Sequence, residues 1–211
     1  MRISKGTYKA AKYACLHFHY SKSVPAPKFI YNVFNDDNEW CGVIIYGLGA
    51  TPNIAKPFNK IQGECIELVR VALNGKQGHG NTSRALSMTI KALKKEAPYI
   101  DLIVSFADVD QNHAGTLYQA TNWIYAGTQQ AGAQQGFIIN GKYIHNKSCH
   151  SRHYKQSLEW LRNNVDANAE KFITKGKHKY LYPMNKKTRK EILKLSRPYP
   201  KNADVVQQKN A

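Results

Sequence analysis

Apolar residues fall in short runs separated by polar turns, and the step between them changes along the chain. From Thr7 to Phe18 the positions Ala11, Ala14, Cys15 and Phe18 recur every three or four residues, which predicts a helix. Pro25 and Pro27 then impose an extended or turning path. Lys28–Phe34 and Trp40–Tyr46 flank the turn-forming Asn35-Asp36-Asp37-Asn38 and predict a hairpin. After a loop, GLGATPNIAKPFN, the apolar and β-branched stretch Glu64–Leu73 predicts a strand. The glycine- and hydroxyl-rich segment Asn74–Arg84 leads into Ala85–Lys95, where Leu86, Ile90 and Leu93 form a helical stripe. Thr82 or Ser83 would cap that helix, and Pro98 lies beyond its end.

The central motif follows. Leu102, Ile103 and Val104 predict a buried strand that ends in a polar turn containing Ser105, Asp108, Asp110, Gln111, Asn112 and His113. AGTLYQATNW then places Ala114, Leu117, Tyr118 and Thr121 on one helix face. Strand, polar turn and helix are the arrangement that sets reactive groups at the carboxyl end of a strand. Ile124–Gly127 begins another strand, and Gly136–Tyr143 is a strand and turn. His150–Val165 predicts a helix through Tyr154, Leu158, Leu161 and Val165, and Lys186–Leu195 a short lysine-rich helix that ends at RPYPK. The order of elements predicts one mixed-sheet α/β domain rather than a regular βαβ series.

Charge adds a partner. Thirty-one Lys and Arg against 14 Asp and Glu give a net charge of +17. Such an excess points to a polyanion, because each neutralised phosphate releases a counterion. Residues 171–211 hold twelve of the cations and only Glu191 and Asp204, with Tyr180, Tyr182 and Tyr199 interspersed. The expectation is a catalytic domain over 1–170 and a basic C-terminal extension over 171–211, packing on it or continuing it. Lys177, Lys179, Lys186, Lys187, Arg189 and Lys190 are the candidate phosphate contacts. His145, His150, His153 and His178 lie in basic surroundings where phosphate contact or solvation accounts for them. No run is long and apolar enough to span a membrane, and the amino terminus lacks the apolar core of a secretory signal. Cys15, Cys41, Cys65 and Cys149 show no CxxC pair, consistent with reduced thiols in a cytoplasmic setting.

Candidate chemistry clusters in two places. Gly75-Lys76-Gln77-Gly78-His79-Gly80 runs from a strand into a helix start, where glycine amides and the helix dipole favour an anion. A flexible connection reads equally well there. Around the central strand, Tyr118 and Trp123 are site residues or core, Arg70 an anion binder or an ion-pair partner, and Asp108 a base or a turn cap.

The spacing Asn112-x-Ala114-x-x-Leu117-Tyr118-x-x-x-Asn122-Trp123 resembles the GCN5-related N-acetyltransferase superfamily. The loop reads GKQGHGNTSR rather than the superfamily's Q/R-x-x-G-x-G/A, and Asn122 stands where Gly is usual. The resemblance implies a mostly antiparallel central sheet flanked by helices. It also implies acyl-coenzyme A between two splayed strands, with pyrophosphate at Gly78, Gly80 and Asn81, and Tyr118 as proton donor to a leaving thiolate. Together HYS at His19-Tyr20-Ser21, ELVRVAL, GNTSRALS and SFADVDQNHAGTLYQATNW are similar to the phage Mom family.

That narrower resemblance implies addition of a carbamoylmethyl group to the exocyclic amine of adenine in phage DNA, which protects the DNA from host restriction enzymes. It implies an active centre of His19, Tyr20, Arg70, Ser83, Asp108 and Tyr118, and we add Ser105, His113, Asn122 and Trp123 as substrate or donor contacts. The adenine amine is a poor nucleophile, so a base must take a proton from it, and Asp108, His19 and His113 are the candidates. The target is expected to be flipped out and stacked on Trp123 or Tyr20. His19, Tyr20, Asp108 and Tyr118 would also suit iron if a metal were held, although an acid–base cluster needs none. The donor is left open among acyl-coenzyme A, an aminoacyl-tRNA and another glycine source, and self-association is left open. The rival readings are an ordinary acyl-coenzyme A-dependent N-acyltransferase and a non-catalytic nucleic-acid-binding module.

Overall fold

The computed structural model describes residues 1–49, 51–153 and 157–200. In chain order its strands and helices are β1 (Arg2–Lys5), α1 (Tyr8–Phe18), β2 (Phe29–Phe34), β3 (Trp40–Gly47), β4 (Cys65–Leu73), α2 (Asn81–Glu96), β5 (Leu102–Asp108) and α3 (Thr116–Gln119). They continue as β6 (Ile124–Gln129), β7 (Gln134–Ile139), β8 (Lys142–His145), α4 (Asn146–His153), α5 (Leu158–Asn164), β9 (Glu170–Ile173), β10 (Lys177–Pro183) and α6 (Lys186–Ile192). The described residues form two compact units, one of Met1–Phe106, Gly115–Gly127 and the chain from Lys179 onward, the other of Ala107–Ala114 and Thr128–His178.

The first unit is built on a seven-stranded sheet in the order β1-β2-β3-β4-β5-β10-β6. Pairing from β1 to β4 is antiparallel, and β4 with β5 is parallel. Helix α1 starts where Thr7 Oγ1 accepts the amide of Ala10 at 3.2 Å. It buries Ala11, Ala14 and Cys15 against Val43, Ile45 and Ala72 of the sheet. Small residues on that stripe let the helix lie close to the strands. Helix α2 buries Ala85, Leu86, Thr89, Ile90 and Leu93, and Thr89 hydrogen-bonds the enclosed Tyr46 hydroxyl at 2.8 Å. Another cluster joins Phe58, Cys65, Leu102, Val104, Ile124, Leu181 and Ile192. Each large side chain buried this way contributes about 1.5–3 kcal/mol.

The hairpin β2–β3 and strand β4 form as the apolar pattern predicts, and four elements differ. Helix α2 begins at Asn81 rather than Ala85, because Gly80 (φ 74°) takes the cap position in the left-handed region. Neither Thr82 nor Ser83 caps it; the Ser83 hydroxyl instead donates to the Gly80 carbonyl at 2.8 Å. The helix expected over 114–123 is only α3, four residues long, bounded by left-handed Gly115 (φ 76°) and Asn122 (φ 60°). The helix expected over 150–165 becomes α4 and α5, and its Tyr154 lies outside the described residues. The basic segment holds β9 and β10, and β10 lies between β5 and β6. Residues 201–211 of that segment lie outside the description.

The second unit carries a three-stranded sheet, β8-β7-β9, over Phe137, Ile139, Cys149, Leu161 and Ala169. Asp110 organises its loops: its carboxylate accepts from Thr174 Oγ1 at 2.5 Å and from the Lys175 amide at 3.0 Å. His178 bonds Thr128 Oγ1 at 2.9 Å, and burial holds the imidazole below its ordinary pKa. A depressed histidine binds its proton more readily in the unfolded chain, so stability should be flat above about pH 6.5 and fall as pH drops below it. Thermal melts between pH 5 and 8 check this. A His178→Asn protein with the same acid sensitivity as the parent would refute it.

Candidate active site

The parallel ladder between β4 and β5 runs only through Cys65–Leu102, Ile66–Ile103 and Glu67–Val104. Beyond it the next residue of β5, the buried Ser105, uses its side chain where a backbone bond would otherwise lie. Its Oγ is 2.9 Å from the Leu68 carbonyl and 2.9 Å from the Tyr118 hydroxyl. A serine has one hydrogen and a carbonyl can only accept, so with both bonds made Tyr118 is the donor to Ser105. The tyrosine is clamped further by Tyr180, whose ring lies 4.9 Å away, and by Trp123 at 5.1 Å. Burial, reinforced by the nearby Tyr20, Glu67 and Tyr180, pushes the Tyr118 phenol up to about 12. It therefore keeps its proton at physiological pH.

Gly115 makes this packing possible. Its backbone is left-handed, and a Cβ there would lie 2.3 Å from the Tyr180 ring. Gln119 adds a 3.3 Å bond to the Tyr180 hydroxyl.

The segment after α1 supplies a second set of groups. His19 Nδ1 lies 2.9 Å from Ser21 Oγ and accepts the Ser21 amide at 3.2 Å. Ser21 Oγ meets Ser23 Oγ at 3.2 Å, and Ser23 Oγ accepts from the Arg70 guanidinium at 3.0 Å. Arg70 also donates to the Val69 carbonyl at 2.7 Å, while its buried Nε has no protein partner. Both of these acceptors are neutral, which leaves the guanidinium suited to an anion. Tyr20 stacks on His19 with ring centroids 4.4 Å apart and is half exposed.

The glycine loop lies between β4 and α2, with Gly75, Gly78 and Gly80 all at positive φ. Asn81 Nδ2 ties the loop by donating to the Gln77 carbonyl at 2.7 Å. No side chain caps α2, and its first turn contains no acid. Amides and dipole at that end favour an anion.

The family model of the Mom proteins matches residues 1–201. The chain belongs to the Mom protein family. It is 25% identical over 190 residues to the methylcarbamoylase Mom of Escherichia phage Mu, covering 87% of this chain and 76% of that protein. Among solved structures it is similar to a Bacillus subtilis acetyltransferase in complex with CoA, with a TM-score of 0.50 and 14% identity over 86% of this chain and 97% of that one. A variant of the Vibrio cholerae spermidine N-acetyltransferase gives a TM-score of 0.50 and 10% identity over 92% and 99% of the two chains. The fold of this Mom-family chain is thus that of the GCN5-related N-acetyltransferases, a mixed α/β fold with a mostly antiparallel central sheet.

Of the candidate site residues, Ser105 and Tyr118 are hydrogen-bonded, with Tyr20 and Glu67 near enough to act on the phenol electrostatically, and His19 joins Arg70 through two serines. Ser83 stays at the start of α2. Asp108 and His113 belong to the second unit, where Asp108 caps a turn by accepting the Asp110 amide at 3.1 Å and its carbonyl accepts the His113 amide at 3.1 Å. Two expectations need correction. Trp123 is fully buried and offers no face to a base, so only Tyr20 of that pair is accessible. Lys179 is 8% exposed, with its ammonium 4.7 Å from the Phe58 ring centre, and cannot line a phosphate surface. Lys177 is half-buried, whereas Lys186, Lys187, Arg189 and Lys190 are exposed on or beside one helix face, that of α6. Asn122 adopts the left-handed conformation that glycine usually serves, and Asn tolerates it.

Of the candidate iron ligands, His19 uses Nδ1 to accept the Ser21 amide and Asp108 uses Oδ1 to accept the Asp110 amide, so Nε2 of the one and Oδ2 of the other are not taken by those bonds. Among the described residues no group of three or more His, Cys, Asp or Glu could hold a metal ion. No described helix is long and apolar enough to cross a membrane. Sequence reasoning missed Glu67, Ser23, Gly115 and Tyr180. Glu67 is a charge in the middle of an apolar strand run, ECIELVRVAL, and that interruption was the available signal.

Proposed function

We propose that this protein is a DNA-modifying transferase that adds a carbamoylmethyl group to the exocyclic amine of adenine. The observation that carries the reading is the hydrogen-bonded pair Tyr118–Ser105 where β4 and β5 part, within electrostatic reach of Glu67 and Tyr20, in a chain of the Mom protein family. In the reaction the amine nitrogen bonds the donor carbon and gives up a proton, and the departing group takes one. Glu67 is suited to the first task as a carboxylate base, with His19 as the alternative. Tyr118, holding its proton to high pH, is suited to the second. Arg70 and the amides at the start of α2 suit the anionic part of the donor. A carbamoylmethyl group is joined to the amine through its methylene carbon, which plain acyl transfer from acyl-coenzyme A does not supply; an acyl-coenzyme A-type donor, as in a structure of the same fold that holds CoA, an aminoacyl-tRNA and another glycine source would all use the same cations. Tyr20 suits the face of the flipped adenine.

Mass spectrometry of nucleosides from the DNA of bacteria expressing the chain tests this. Deoxyadenosine heavier by a carbamoylmethyl group is expected. Unmodified adenine in cells containing abundant folded protein would refute it, and acylated amines or protein in its place would favour an ordinary acyltransferase.

A further inference from the structure

The cationic excess is not confined to the carboxyl-terminal segment. Residues 1–35 contain Arg2, Lys5, Lys9, Lys12, Lys22 and Lys28 and no Asp or Glu, whereas residues 36–170 hold thirteen Lys and Arg against twelve Asp and Glu. Four of the amino-terminal cations are occupied: Arg2 by Asn38 and the Phe34 ring, Lys5 by Glu96 at 2.9 Å, Lys22 by the His17 carbonyl at 3.1 Å, and Lys28 by the Tyr99 ring at 5.5 Å. Lys9 and Lys12 are exposed on α1 and pair with no described carboxylate.

Aromatic groups share that surface. Tyr8, Tyr13, Leu16 and Tyr20 are 57%, 50%, 39% and 51% exposed. At 100° per residue, Tyr8, Lys9, Lys12, Tyr13, Leu16 and His17 span one side of α1, opposite the buried Ala11, Ala14 and Cys15. Tyr13 is not loose: it stacks on His17 at 4.1 Å and meets Phe18 and Trp40 at 5.8 and 5.9 Å. A ring fixed in place loses little freedom on stacking with a base. The stripe runs toward the C-terminal end of α1, two residues beyond which stands Tyr20, near enough to Tyr118 to act on its phenol electrostatically.

Rigid exposed rings alternating with unpaired lysines, on a helix without acids, are the surface that a nucleic-acid strand requires. A protein partner would need carboxylates placed opposite Lys9 and Lys12, whereas a phosphate backbone supplies anions along its whole length. We propose that the exposed face of α1 carries the DNA strand flanking the target adenine, with Lys9 and Lys12 on phosphates and Tyr13 as a stacking platform. The inference rests on the DNA reading above and adds the surface and the residues.

Fluorescence anisotropy of the full chain with labelled DNA, as a function of salt, tests it. Lys9→Ala/Lys12→Ala should lower the slope of log K against log salt by about two, and Tyr13→Leu should weaken binding about tenfold with little change of slope. Circular dichroism and melting temperature should stay at parental values, and Lys9→Arg/Lys12→Arg should keep the parental slope. Lys186→Ala/Lys187→Ala serves as the comparison on α6. If the parent binds DNA and the α1 double variant keeps its slope, α1 is not a DNA contact and the DNA reading survives. If slope is lost with tRNA and kept with DNA, the surface serves the donor and the proposal is overturned. A parent that binds no DNA at all would remove the functional reading and this inference with it.

Discussion

Tyr118→Phe is expected to cut the rate of adenine modification by about 10²–10⁴-fold, the span usual for loss of one positioned proton donor. The ring and its packing against Tyr180 and Trp123 survive the change, since only the hydroxyl is removed. DNA affinity should therefore stay near that of the parent while turnover collapses. The sharper comparison uses Ser105→Ala, which frees the tyrosine hydroxyl from its 2.9 Å partner and leaves the Leu68 carbonyl without that bond. If the two hydroxyls act as one device, the double variant will be no slower than Tyr118→Phe alone. Additive losses would mean that Ser105 serves only the strands. A Tyr118→Phe protein working at the parental rate would remove the tyrosine from the chemistry.

Gly115→Ala should be the most damaging small substitution in the site. A left-handed non-glycine residue costs about 1–2 kcal/mol, and overpacking adds about 1–3 kcal/mol. The backbone is at φ 76°, and the new methyl would lie 2.3 Å from the Tyr180 ring. Against the total stability of about 5–15 kcal/mol usual for a folded domain, that is a large fraction. Tyr180 must move, and Tyr118, stacked on it, moves with it, so activity should fall by more than the loss of folded protein explains. Urea unfolding and modification rate on the same preparation measure the two effects. A Gly115→Ala protein as stable and active as the parent would show that Tyr180 does not hold the site.

The sequence made α1, the β2–β3 hairpin and β4 legible because each carries a local apolar pattern bounded by turn-forming residues. It also placed Tyr118 and Ser105 at the end of the central strand, and Arg70 in β4. What stayed hidden depends on chain distance. Lys179 reads as one more cation in a basic run, and only the neighbours of β10 reveal that it faces Phe58 and Cys65 rather than water. Trp123 reads equally as a stacking ring or as core, because nothing near it in sequence announces Tyr182, 5.4 Å away. The shortness of α3 follows from two left-handed residues, Gly115 and Asn122, whose effect local periodicity does not register. Glu67 was overlooked because a single charge within a strand usually marks an edge or an ion pair, and its relation to Tyr118 spans the fold.

The placement of β10 between β5 and β6 also sets a timetable for synthesis. Its neighbours in the sheet leave the ribosome well before Lys177–Pro183 exists, so they wait with open edges until nearly the whole chain has emerged. Such late, long-range closure makes folding slow and leaves the nascent chain prone to association with its own copies. A stop codon before Lys177 should therefore yield aggregates rather than a smaller enzyme.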